Sequence, residues 1–218
     1  GSAKDAPAEG TPAQRTTRET VKHHFAVSAC ILQKDARIGK IIGFYSVVFA
    51  THTLLFFYSQ QYFADLGYNK VQISVIMLLV GGASCFGALA SEKMYRRFGK
   101  RCLIPETVII AAAILCYGSG KAGVAAAALM CAGFANAALY PVQSDSLNAL
   151  IPSEQRATLI SVDSMCFSIA MIVLFPLAGA LADRWGLKTV LLLLGAILLL
   201  FLLTVICIEK ESFSSGHS

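Results

Sequence analysis

Val190 to Leu194, Gly195-Ala196-Ile197 and Leu198 to Ile208 form a run in which Thr204 is the one polar side chain. A stretch of about 20 apolar residues matches a hydrocarbon core about 30 Å thick. No bonding partner for a bare peptide group exists inside lipid, so the backbone must bond within its own element. The run therefore reads as a membrane-crossing helix, and its neighbours decide how many more there are.

Six such runs lie at approximately 41–63, 71–91, 102–119, 122–143, 159–182 and 187–208. Across 218 residues, 56% are hydrophobic and only 14% are charged. Mean hydropathy is +0.65. A soluble domain carries about 25% charged residues, so this chain cannot clothe a water-facing surface. The runs are also too long and too uniformly apolar for the alternating strands of a β-barrel. The expected fold is an all-α membrane protein with six transmembrane helices.

Basic residues are divided unequally between the two ends of these helices. Lys4, Arg15, Arg18, Lys22, Lys34, Arg37, Lys40, Lys93, Arg96, Arg97, Lys100, Arg101, Arg156 and Lys210 fall on one side. Lys70, Lys121, Arg184 and Lys188 fall on the other. The positive-inside rule places the richer side, and with it both termini, in the cytoplasm of a cell-membrane protein. The net charge of +5 thus reflects topology and gives no basic face for nucleic acid.

Residues 1–18 are Ala, Pro, Thr, Gly and charge, and read as a disordered tail. Gly1-Ser2 resembles an expression scar and no Met starts the chain, so it reads as a fragment or a processed product without a signal peptide. Within 19–37, Val21, Phe25, Ala29 and Leu32 recur at helical spacing. That pattern predicts an amphipathic helix on the cytoplasmic surface, or else an extension of the first span. The transmembrane domain is expected over 38–210, with a cytoplasmic tail at 211–218. Cys30, Cys85, Cys102, Cys116, Cys131, Cys166 and Cys207 lie in or beside the apolar runs, and read as small packing side chains.

Two segments echo each other. Gly87-Ala88-Leu89-Ala90-Ser91-Glu92 closes the second run, and Gly179-Ala180-Leu181-Ala182-Asp183-Arg184 closes the fifth. Their positions suit two inverted three-helix repeats, although such a string recurs easily in a chain rich in Ala and Leu.

Three stretches carry a wider likeness. They are Gly87-Ala88-Leu89-Ala90 with Arg96-Arg97-Phe98-Gly99-Lys100-Arg101, the turn Asn148 to Ser161 (N-x-x-I-P-x-E-x-R-A-T-x-x-S), and Pro176 to Gly186. With them, region 38–210 resembles the C-terminal six-helix half of a major facilitator superfamily (MFS) transporter. The resemblance implies secondary active transport by alternating access, with solute passing between two six-helix bundles. It implies that the first, second, fourth and fifth helices line the route and that the third and sixth face lipid. Its implied partners are a small-molecule solute, protons, the bilayer, and either an N-terminal six-helix half or a second copy. This chain departs from the family loop by carrying Ser91 where an Asp is usual, with Glu92 next to it.

The residues sharpen these expectations. Polar groups inside a span are costly unless they face protein or water. The first helix holds Thr51, His52 and Gln60, so it is not expected to face lipid. His52 lies near mid-span, and an imidazole with an ordinary pKa of about 6.5 suits a proton carrier; a neutral His bonded to a neighbouring helix is the other reading. Asn136, Tyr140 and Gln143 lie at i, i+4 and i+7 on the fourth helix and form a polar stripe. Pro141 is expected to kink that helix. Glu92, Arg96, Arg97, Asp145, Arg156 and Asp163 gather toward the basic side as candidate gating charges. Glu106, one turn into the third helix, is expected to pair with Arg97, Lys100 or Arg101.

An enzyme is not expected. His23-His24 lie outside the spans, no H-E-x-x-H occurs, and Gly82-Ala83-Ser84-Cys85 lacks the second Gly of a nucleophile elbow. No metal or other cofactor is expected. The function read from the sequence is proton-coupled transport of a small organic solute by a drug-efflux-like or metabolite permease or antiporter. The alternative is a non-transporting or self-dimerising half-size membrane subunit. Aromatic Phe56, Phe57, Tyr58, Tyr62 and Phe63 favour a hydrophobic or amphipathic solute.

Overall fold

A computed structural model describes residues 36–98, 103–150 and 156–214. They form helices α1 (Ala36–Asp65), α2 (Lys70–Phe98), α3 (Leu103–Cys116), α4 (Ala122–Asn148), α5 (Arg156–Trp185) and α6 (Leu187–Ser214). No strand occurs among the described residues. The six apolar runs thus become six helices, and the protein is a multi-pass helical membrane bundle. The expected tail 1–18 and most of segment 19–37 lie outside the described residues, as does Ile151 to Gln155 of the long polar turn.

Five helices are long and apolar enough to cross a membrane, and the third is shorter. Its 14 residues make about 21 Å of α-helix at 1.5 Å per residue. A 3₁₀ turn, Tyr117–Ser119, extends it and ends at Gly120. The Tyr117 carbonyl accepts from the Gly120 amide at 3.3 Å and, as a second donor, from the hydroxyl of Tyr62 on α1 at 2.8 Å, which ties that helix end to α1. The start of α2 carries a capping box. The Asn69 amide donates to Gln72 Oε1 and the Gln72 amide to Asn69 Oδ1, both at 2.9 Å.

Two boundaries differ from expectation. α2 continues through Phe98 rather than ending near Ser91, so Arg96 and Arg97 stand on a helix, not in a loop. The charged side chains from Glu92 to Arg97 lower the local hydropathy, but hydropathy marks contact with lipid and not the end of a helix. α6 likewise runs on to Ser214, past the end of its apolar run near 208.

α2 packs chiefly on α4, and α5 packs on α1 and α6. α3 joins α4 and α6, while α1 touches α4. Exchanging the first three helices for the last three turns the α2–α4 contact into α5–α1 and leaves α3–α6 and α1–α4 in place. The α5–α6 contact has no α2–α3 counterpart of like extent, so the two triplets are related in most of their contacts but not in all. The main core lies where α1, α3, α4 and α6 meet, around Tyr45, Leu55, Ile110, Ile114, Leu129, Leu139 and Leu191.

The echoed glycines both sit at close helix contacts. A Cβ at Gly87 would run into the backbone carbonyl of Phe134, and one at Gly133 would stand 2.8 Å from Ser84 Oγ. Small residues at such crossings let backbones approach in the absence of a hydrophobic drive between helices. A Cβ at Gly179 would meet the Tyr58 hydroxyl at 3.1 Å.

The third and sixth helices each carry one exposed and one buried apolar face. α3 exposes Ile104, Val108 and Ile109 but buries Ile110, Ala111, Ala113 and Ile114. α6 exposes Leu193, Ile197, Leu200 and Leu203 but buries Leu191, Leu198 and Leu202. The widest apolar exposure lies on α2 (Val71, Val75, Leu78, Leu79, Phe86, Leu89) and α5 (Ile160, Ile169, Ile172, Val173, Leu177). Composition cannot separate a surface that meets lipid from one that meets another helix, because both are apolar.

Candidate functional site

The site begins where α1 crosses α4. The rings of Phe49 and Tyr140 lie 5.8 Å apart. Three membrane crossings separate the two helices, so they run antiparallel. His52 lies three residues beyond Phe49, about 4.5 Å along the axis, and Asn136 lies four before Tyr140, about 6 Å along the axis in the same direction. The two therefore share one depth near mid-span. His52 Nε2 and Asn136 Oδ1 are both buried and have no hydrogen-bond partner. Buried polar atoms are rarely left so, because the lost hydration goes uncompensated.

The remaining polar candidates are placed differently from one another. Thr51 is buried, and its hydroxyl donates to the Val47 carbonyl of its own helix at 2.8 Å. Gln60 is exposed near the end opposite the basic side chains. The stripe on α4 is not uniform. Tyr140 is 62% exposed and Gln143 only 2%, because Gln143 turns toward α5. Gln143 Nε2 donates to Asp163 Oδ1 at 2.9 Å, joining α4 to α5. A candidate pathway residue and a candidate gating residue thus form one pair, which the sequence listed apart.

The other candidate charges lie at the basic end. Glu92, Asp145, Ser91, Tyr95, Ala88, Pro141 and Val142 line a groove of about 130 Å³ between α2 and α4. Glu92 and Arg96 form an i, i+4 ion pair, and both side chains are 75% exposed. Arg97 and Arg156 are exposed. Lys100 and Arg101 lie outside the described residues. Among the described residues Glu106 has no ion pair: both carboxylate oxygens are buried and lack a hydrogen-bond partner.

Ser91, where the resemblance leads one to expect Asp, has a role that the sequence did not announce. It is buried, and its hydroxyl donates across the seam to the Ala138 carbonyl of α4 at 2.8 Å. α4 remains continuous through Pro141. A hydroxyl is the right size for this bond, since a charged carboxylate cannot donate to a carbonyl. The signal was present as a departure from the family pattern, but its partner on another helix was not.

Among the described residues, no cluster of His, Cys, Asp or Glu is arranged to hold a metal ion. Cys85, Cys116, Cys131 and Cys166 are free thiols.

Membrane-length helices, small-residue crossings and polar groups buried at mid-depth define a multi-pass protein of the transporter class. The sequence model of the Major Facilitator Superfamily matches residues 107–216. The chain belongs to that superfamily, whose members move small solutes across membranes. No curated protein and no solved structure matches the chain.

Proposed function

We propose that the protein carries a small organic solute across the cell membrane in exchange with, or together with, protons, as a drug-efflux-like or metabolite permease. The observation that supports this reading most is the pairing in depth of His52 Nε2 and Asn136 Oδ1, two buried atoms without protein partners at the α1–α4 crossing. An imidazole nitrogen can take or give a proton, and an amide oxygen can accept a hydrogen bond from solute or imidazolium. Thr51, Gln60 and Tyr140 extend this face along the route. Gln143 with Asp163, and Glu92, Arg96, Arg97, Asp145 and Arg156, act toward the basic end as the gate. The positive-inside rule puts that end in the cytoplasm.

The test is a transport screen on the full-length gene with a proton uncoupler, repeated with His52→Ala and Asn136→Ala. Uncoupler is expected to abolish accumulation or extrusion, and His52→Ala to do the same while facilitated exchange of solute persists. Transport indifferent to both would end the proton reading.

A second reading draws on the broad apolar surfaces of α2 and α5. In it the chain is a half-size subunit that pairs with a second copy or a separate six-helix half. Cross-linking of the protein in native membranes separates the two: a single cross-linked species at twice the chain mass supports self-pairing.

A further inference from the structure

Glu106 lies outside the α1–α4 face, on α3, and nothing in the transport reading uses it. Its side chain is 2% exposed, and neither carboxylate oxygen has a hydrogen-bond partner. It stands three residues into the helix, about 4.5 Å from its start, yet it does not accept from the free amides of that first turn. The next turns of α3 supply Ile110, Ala111 and Ile114, all fully buried. α3 packs on α4 and α6 and touches α1.

Among the described side chains, no charged or titratable neighbour offers it a counter-ion. In the basic-end halves of the packed helices these are Lys40 and Tyr45 on α1, and Tyr140, which is 62% exposed, and Asp145 on α4. Lys40 and Asp145 are exposed, and Asp145 lines the α2–α4 groove. Tyr45 is buried in the main core. On α6, Phe201 to Thr204 contribute no ionisable group. An ionised carboxylate in such a place loses its hydration without gaining a cation or a donor, and the neutral acid loses far less.

We propose that Glu106 is a buried proton-binding site in the wall of this half, held as the neutral acid and separate from His52. Its ligand is a proton, taken up from the basic end where α3 begins. The inference is independent of the coupling proposed for His52, because it concerns the state of the carboxyl in the resting bundle and not the transport cycle.

A neutral carboxyl in an apolar site is open to a hydrophobic carbodiimide such as dicyclohexylcarbodiimide. The acid proton passes to one carbodiimide nitrogen and the carboxyl oxygen bonds to the central carbon. The resulting O-acylurea then rearranges to a stable N-acylurea by acyl transfer, with no leaving group lost. The full chain in native membranes is treated at neutral pH, digested, and read by mass spectrometry. Glu106 is expected to carry at least about tenfold more adduct than Glu92 or Asp145, because a carboxyl in water is almost wholly ionised at neutral pH. A water-soluble carbodiimide with glycine methyl ester is expected to reverse the order. Glu106→Gln is expected to remove the adduct without moving it to Glu92. Absence of dicyclohexylcarbodiimide adduct on Glu106 at acid and neutral pH overturns the proposal. So does labelling of Glu106 by the water-soluble reagent as fast as Glu92. Neither measurement needs a transported solute, so failure of the transport reading leaves this test intact.

Discussion

The α2–α4 and α1–α5 seams occupy equivalent places in the two triplets, yet they are closed by different means. α2 meets α4 backbone to backbone, with Gly87 against the Phe134 carbonyl and Gly133 against Ser84. Ser91 then ties the two helices directly through the Ala138 carbonyl. α1 meets α5 through aromatic side chains. Tyr58 stacks on Phe175 with centroids 5.3 Å apart, donates its hydroxyl to the Phe175 carbonyl at 3.1 Å, and leaves Phe57 edge-on to the same ring at 5.7 Å. A backbone cannot turn aside, whereas a tyrosine can change its χ angles. The first seam is therefore rigid and intolerant, and the second can adjust. If the proposed transport moves one bundle against another, the adjustable seam beside α1 is where that motion costs least.

The sharpest way to break this contrast is the same small change on each side. Gly87→Ala puts a methyl group into the Phe134 carbonyl and is expected to cost about 3 kcal/mol, at the upper end for overpacking. Gly179→Ala needs only a shift of the Tyr58 hydroxyl and is expected to cost less than about 1 kcal/mol. Thermal midpoints of the detergent-solubilised protein compare the two, and equal losses would erase the distinction. Tyr58→Phe has a smaller expected effect. It keeps the ring stack and removes one interhelical hydrogen bond, worth about 0.6 kcal/mol in a bilayer; a loss as large as that of Gly87→Ala would mean that the aromatic seam is the rigid one. Smallest is Arg96→Gln at the exposed Glu92 pair. No shift in thermal midpoint is expected, because exposed ion pairs add little. A clear fall would place that pair in the α2–α4 seam itself.

Much of this architecture was legible in residue order alone. Each helix announced itself by an apolar run, and the glycine-led segments at 87 and 179 marked one contact in each triplet. The ends were less legible, as the continuation of α2 through Arg96 and Arg97 shows. The candidate site was legible as a set of residue types. Burial of His52 Nε2 and Asn136 Oδ1 follows from polar groups avoiding lipid, a property that composition expresses. Their common depth required the register of α1 against α4, set by Phe49 and Tyr140.

Hydropathy is carried by each residue and adds along the chain, so the sequence by itself determined a six-helix membrane bundle, while the motifs at 87–101, 148–161 and 176–186 carried the family resemblance. Contacts between helices depend on rotation and register, which no single helix encodes. Only the tertiary structure decided that Gln143 meets Asp163, that Ser91 binds α4, and that the Glu106 carboxyl is buried without a hydrogen-bond partner. The physical reason is that short-range bonds of about 3 Å are selected by how the backbones pack, and that packing is settled by all six helices together.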